Sequence, residues 1–328
     1  MYVYHLMAIL TVVIWGTTFV STKILLSYGL GPAEILLYRF LLAYVSIWWV
    51  CPKVLWARRL RDELLFVAAG LCGGSLYFVA ENTALGITLA SNVSLIICTA
   101  PILTAFLAYA FRKIDRLESR VIAGSLLALV GVALVVFNGS FLLKISPAGD
   151  LLTVLAALMW ACYGLILKQL DSGYPVLFIT RKVFFYGMLT LLPVFYFEPL
   201  HWSAEVMKQP AVYLNLVFLG LVASMLCFIM WNTAVKQLGV VRTTHYIYVV
   251  PLVTLLTSAW VIDEQITGVA LLGSVFILSG VYLAERGWKG FRLARKDRRV
   301  AESEVSEDEL PESNLAESRW SERGLSEN

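Results

Sequence analysis

Long apolar stretches, separated by short polar turns, run along almost the whole of this chain. A helix needs about 20 mostly apolar residues to cross roughly 30 Å of hydrocarbon, and the pattern predicts ten such spans. They fall near 4–27, 33–50, 64–84, 90–111, 119–137, 150–170, 176–197, 212–235, 243–262 and 269–286. Beyond 287 the pattern stops, and a charged, Ser- and Glu-rich tail follows that has too few apolar residues for a core. Composition agrees with this division: 59% hydrophobic and 15% charged residues describe an integral membrane protein, not a soluble domain.

The polar landmarks inside the apolar stretches recur. Trp15 and Lys23 return as Trp160 and Lys168, 145 positions on. Gly70, Asn82, Thr83, Ala84 and Pro101 return as Gly220, Asn232, Thr233, Ala234 and Pro251, 150 positions on. The chain therefore divides into a first five-helix repeat at 1–137, a linker at 138–148, a second five-helix repeat at 149–286 and a cytoplasmic tail at 287–328. Five crossings bring the chain out on the opposite face, so the second copy is inverted relative to the first. The expected architecture is an all-α polytopic membrane protein of ten transmembrane helices in two inverted repeats. Secondary transporters are built this way, because one site between the halves opens alternately to either side.

Basic residues orient the chain. Lys53, Arg58, Arg59 and Arg61, then Arg112, Lys113, Arg116 and Arg120, then the cluster from Arg286, all fall on one side of the predicted topology. An excess of Lys and Arg marks the cytoplasm, so both termini are expected there. Cys51, Cys72, Cys98, Cys162 and Cys227 are odd in number and show no metal-ligand spacing. No phosphate-binding glycine loop and no catalytic constellation occurs, so the reading is neither enzyme nor nucleic-acid binder, with no cofactor and no metal.

Candidate site residues come from polar groups at membrane depth. Trp15, Thr18 and Thr22 share one helical face, mirrored in the second copy by Trp160, Tyr163 and Leu167. Glu81 is an acid inside a span, which needs a partner, a proton or water. It binds a substrate amino group, takes up a coupling proton, or pairs with Lys23 or Arg39. Tyr77 stands four residues before it and shares its face. The second copy has Trp231 in place of Glu81, which leaves Lys168 and Arg181 either snorkelling to headgroups or meeting an anionic substrate. His245 and Tyr248, at the start of the ninth span, serve a proton relay or interhelical bonding. Pro101 and Pro251 are expected to kink their helices as gates. Gly124 with Gly131, and Gly273 with Gly280, lie seven apart on single faces, suited to scaffold packing or to a homodimer contact.

Trp15-Gly16-x-x-Phe19 with Lys23, then Arg39, Asn82-Thr83-Ala84, Ala100-Pro101, Gly124 and Gly131, together with their second-half counterparts, resemble the EamA family of the drug/metabolite transporter superfamily. The likeness covers residues 4–286. It implies a multi-pass carrier of the bacterial inner membrane that exports small metabolites such as amino acids or drugs. The acidic and basic pair often found before the fifth helix of each unit reads Asp115-Arg116 here, and Glu264-Gln265 in the second copy. A non-transporting scaffold or sensor acting through the tail is the alternative. The expected partners are a small-molecule substrate and the lipid bilayer.

Overall fold

The computed structural model describes residues 2–52, 56–88, 90–111, 118–137, 146–170, 173–200, 203–262, 268–269 and 271–284. Asp115-Arg116, Glu264-Gln265, nearly all of the expected linker and the whole tail from 287 lie outside them. The regular structure is helical, with no strand among the described residues. In chain order the helices are α1 (Tyr2–Ser27), α2 (Pro32–Val50), α3 (Leu60–Ile87), α4 (Ala90–Ile97), α5 (Ala100–Ala110), α6 (Ser119–Phe137) and α7 (Pro147–Leu170). They continue with α8 (Val176–Tyr196), α9 (Ala204–Met207), α10 (Pro210–Leu238), α11 (Val240–Thr244), α12 (Val250–Ile262) and α13 (Leu271–Ala284). Among the described helices α1, α2, α3, α7, α8 and α10 are long and apolar enough to cross a membrane.

Prolines open several of these helices, where a missing N–H costs nothing. Pro32 starts α2, and Glu34 at its third position accepts a bond from the Gly31 N–H at 2.8 Å. α10 ends at Gly239, whose φ of 89° lies in the left-handed region that favours glycine.

Two expected spans are interrupted. The 90–111 stretch divides at Cys98–Thr99 into α4 and α5, and the 243–262 stretch passes through a tight 3-10 segment, His245–Val249, before α12. Each break ends two residues before a proline, which cannot donate to the carbonyl four residues earlier and crowds it. For Pro251 that carbonyl belongs to Ile247, and the Cys98 thiol approaches it at 3.7 Å. The two broken helices thus meet at their breaks.

α3 and α10 each contain a wide π-type turn, Leu71–Ser75 and Phe218–Leu226. Gly70 directly precedes the first and Gly220 lies within the second, each pressed against the other half. A Cβ on Gly70 would stand 2.5 Å from the Tyr186 Cβ of α8, and one on Gly220 would stand 2.7 Å from the Leu42 Cβ of α2. Each half's third helix therefore seats on the second helix of the other half.

α6 and α13 touch backbone to backbone. A Cβ on Gly124 would lie 2.6 Å from the Gly280 carbonyl oxygen, one on Gly280 would lie 2.6 Å from the Gly124 carbonyl oxygen, and one on Gly131 would lie 2.6 Å from that of Gly273. The glycine faces are used against each other within one chain. Gly280→Leu should separate the two helices and lower stability by about 1–3 kcal/mol or more, the range for overpacking a tight contact. A fall in the melting temperature and in monodisperse yield after detergent extraction would register it.

Candidate functional site

A cavity lies where both halves meet. α1 contributes Trp15, Thr18 and Phe19, α2 contributes Arg39, and α3 contributes Tyr77, Phe78 and Glu81. Trp160 of α7 closes one wall, while Ile97, Ile247 and Val250 come from the two proline-linked breaks. The interruptions in the helical pattern thus shape the cavity surface.

Its aromatic wall is a cluster. The Trp15 ring lies 5.1 Å from Trp160 in an edge-to-face arrangement and 5.1 Å from Trp231, and Tyr77 lies 5.1 Å from Trp160. The Trp15 indole N–H donates to the Ala223 carbonyl at 2.9 Å, inside the π-type turn of α10. That irregular turn places a carbonyl where α1 can reach it, and it satisfies the indole in a place without bulk water.

Opposite charges share this cavity. Arg39 is only 2% exposed; its Nε–H donates to the Ser224 hydroxyl at 2.9 Å, and its guanidinium lies 4.3 Å from the centre of the Phe78 ring. Glu81 is 8% exposed and accepts a bond from the Tyr77 hydroxyl at 2.7 Å. Among the described residues the ion pairs are Arg120–Glu118 and Lys182–Glu63, so the expected direct pairing of Glu81 with Arg39 or Lys23 is not formed. Tyr77, one turn before Glu81, reaches the carboxylate, while Ser224 and Phe78 hold the guanidinium; Lys23 is exposed.

The remaining candidates divide. Thr22 is buried one turn beyond Thr18, outside the cavity walls. Tyr163 and Trp231 stand behind Trp160, with ring centres 5.3 and 5.8 Å from it. His245 and Tyr248 are buried, their rings 6.4 Å apart, in the 3-10 segment behind Ile247. Arg181 is buried, donates to the Cys51 carbonyl at the end of α2 at 2.9 Å and lies over the Trp48 ring. Lys168 is exposed and, with Lys236, lines a second cavity at the junction of α7, α8, α10 and α11. Asn232, on that second cavity's wall, accepts from the Tyr163 hydroxyl at 2.8 Å and donates to the Thr180 hydroxyl at 2.9 Å.

The model of the EamA-like transporter family matches twice, over residues 3–137 and 147–285. The chain belongs to the EamA-like transporter family. An EamA chain is a transporter and not an enzyme, and its apolar helices make it a multi-pass membrane protein. It is similar to a "Probable amino-acid metabolite efflux pump" of Salmonella typhimurium, 27% identical over 300 residues, covering 88% of this chain and 97% of the relative. It is also similar to a "Probable terminal-alkyne amino-acid exporter" of Streptantibioticus cattleyicolor, 30% identical over 285 residues, covering 87% and 94%. A solved crystal structure matches with a TM-score of 0.68 at 19% identity, over 86% of this chain and 98% of the other, which establishes likeness of fold.

Sequence reasoning for this EamA chain missed Ser224 and Phe78, whereas the repeated Asn232 reads as an interhelical bonding group and bonds both α7 and α8. Ser224 had a readable signal, a lone hydroxyl in an apolar stretch four residues after the repeated Gly220. Removing it should leave the buried guanidinium short of a partner. Ser224→Ala is expected to cost about 1–3 kcal/mol, the penalty for an unsatisfied buried polar group, read as a lower melting temperature in detergent.

Proposed function

We propose that this protein is a secondary transporter of the inner membrane that exports small amphipathic metabolites, amino acids or related compounds, by alternating access between two inverted halves. The observation that carries the reading is the cavity itself, which holds a cation and an acid on separate partners between aromatic walls. An amino acid presents a carboxylate, an ammonium group and an apolar side chain. Arg39 suits the first, Glu81 the second and the Trp15–Trp160 wall the third, and ligand sites commonly join apolar walls to a few convergent polar groups. The printed names of the two relatives, an efflux pump and an exporter of amino acids, favour the same class and direction.

Basic residues beside the ends of α2 and α3 put those ends, and both termini, in the cytoplasm. Glu81 is the first candidate for a coupling proton, because an acid at membrane depth exchanges a proton more cheaply than it carries charge. His245 is the second. Pro101 and Pro251 provide the bends about which the cavity opens.

Accumulation by inside-out vesicles carrying the protein tests the proposal, across amino acids, nucleobases and cationic dyes, with and without a proton gradient. Amino acids should accumulate, and Arg39→Gln should raise their KM by about 10- to 100-fold, the value of a charge-assisted bond. Glu81→Gln should express normally and lose the dependence on the gradient. Failure of every solute to accumulate with well-folded protein would overturn the reading.

A further inference from the structure

The two cavities are separated by a wall three side chains thick. Trp160 faces the first cavity, its ring lies 5.3 Å from that of Tyr163, and the Tyr163 hydroxyl bonds Asn232, which faces the second. Thr180 of α8 completes the wall by accepting from the Asn232 amide at 2.9 Å. Tyr163 is fully buried, and the bonds join α7, α10 and α8 at one level.

The first copy holds the matching positions without the bonds. Asn82 corresponds to Asn232, Thr18 to Tyr163 by the offset that relates the two tryptophans, and Tyr38 to Thr180 by the offset that relates Arg39 to Arg181. The Asn82 amide N–H donates to the Pro32 carbonyl at 3.2 Å, but its Oδ1 is buried with no partner among the described residues. The Thr18 hydroxyl meanwhile donates within its own helix, to the Trp15 carbonyl at 2.7 Å. A buried amide oxygen left unpaired is costly, and its twin in the other half is fully paired.

We infer that the Tyr163–Asn232–Thr180 bonds are the closed barrier of the transport path in this state, and that Asn82 forms the equivalent barrier with Thr18 and Tyr38 in the opposite state. The inference rests on the alternating-access reading and names the residues that carry it. The physical logic is an exchange. Bonds made in one half are missing in the other, so switching replaces one set by its counterpart and leaves the two states close in free energy, as a carrier that visits both requires.

The test uses the full chain with Ile97→Cys on the wall of the first cavity, in vesicles of known orientation. A membrane-impermeant thiol reagent is added from the side of Lys168 and Lys236, and the parent chain with its five native cysteines supplies the background. Tyr163→Phe and Thr180→Val, both nearly isosteric, should each raise the labelling rate from that side by roughly threefold to tenfold, the worth of one hydrogen bond. Asn82→Ala should lower it by a similar factor, because it weakens the opposite state. Unchanged labelling in Tyr163→Phe and Thr180→Val while the parent chain accumulates solute would overturn the barrier and leave the transport reading standing. A shift in the same direction for Asn82→Ala would overturn the exchange between halves. Labelling without any dependence on side, together with no accumulation of solute, would overturn the alternating-access reading and the barrier with it.

Discussion

A backbone carbonyl released inside a membrane helix has to find another donor, because hydrocarbon offers none. The structure meets this constraint where the chain departs from α-helical bonding, and it does so by reaching across to the other half. Pro251 releases the Ile247 carbonyl, and Cys98 of the first copy approaches it. The π-type turn of α10 presents the Ala223 carbonyl, and Trp15 of the first copy donates to it. Both pairings lie against the cavity that holds Arg39 and Glu81. Irregular backbone, contact between halves and the candidate binding site are therefore one feature.

Around that feature the packing relies on small residues. Gly70 and Gly220 admit the second helix of the opposite half, and the glycines of α6 and α13 let those two helices meet without intervening side chains. In lipid the apolar surface of a helix gains little by leaving its surroundings, so close van der Waals contact and interhelical bonds carry the association. Trp15, Trp160 and Trp231 pack on one another, with ring centres 5.1–5.8 Å apart.

The two copies use the same frame for different chemistry. Arg39 faces the cavity opposite an acid that exists only in the first copy, whereas Arg181 closes against the end of α2 and the Trp48 ring. Asn232 is satisfied on both sides of its amide and Asn82 is not. A duplicated sequence has kept its landmarks while their partners diverged.

Much of this was legible beforehand. Apolar length marked where helices run, the offsets of 145 and 150 exposed the duplication, and an acid in an apolar stretch singled out Glu81. These properties are local: the free energy of placing a residue in hydrocarbon depends on that residue and its neighbours along the helix. Proline marked the positions of both helix breaks for the same reason, since the missing N–H belongs to the residue itself. Only the tertiary structure decided that Arg39 bonds Ser224 in place of Glu81, that Arg181 is buried under Trp48, and that Asn232 ties Tyr163 to Thr180. Each of these depends on the rotation and height of one helix against another. A side-chain bond works only within about 3 Å, and one residue of register moves a helix by about 1.5 Å and 100°.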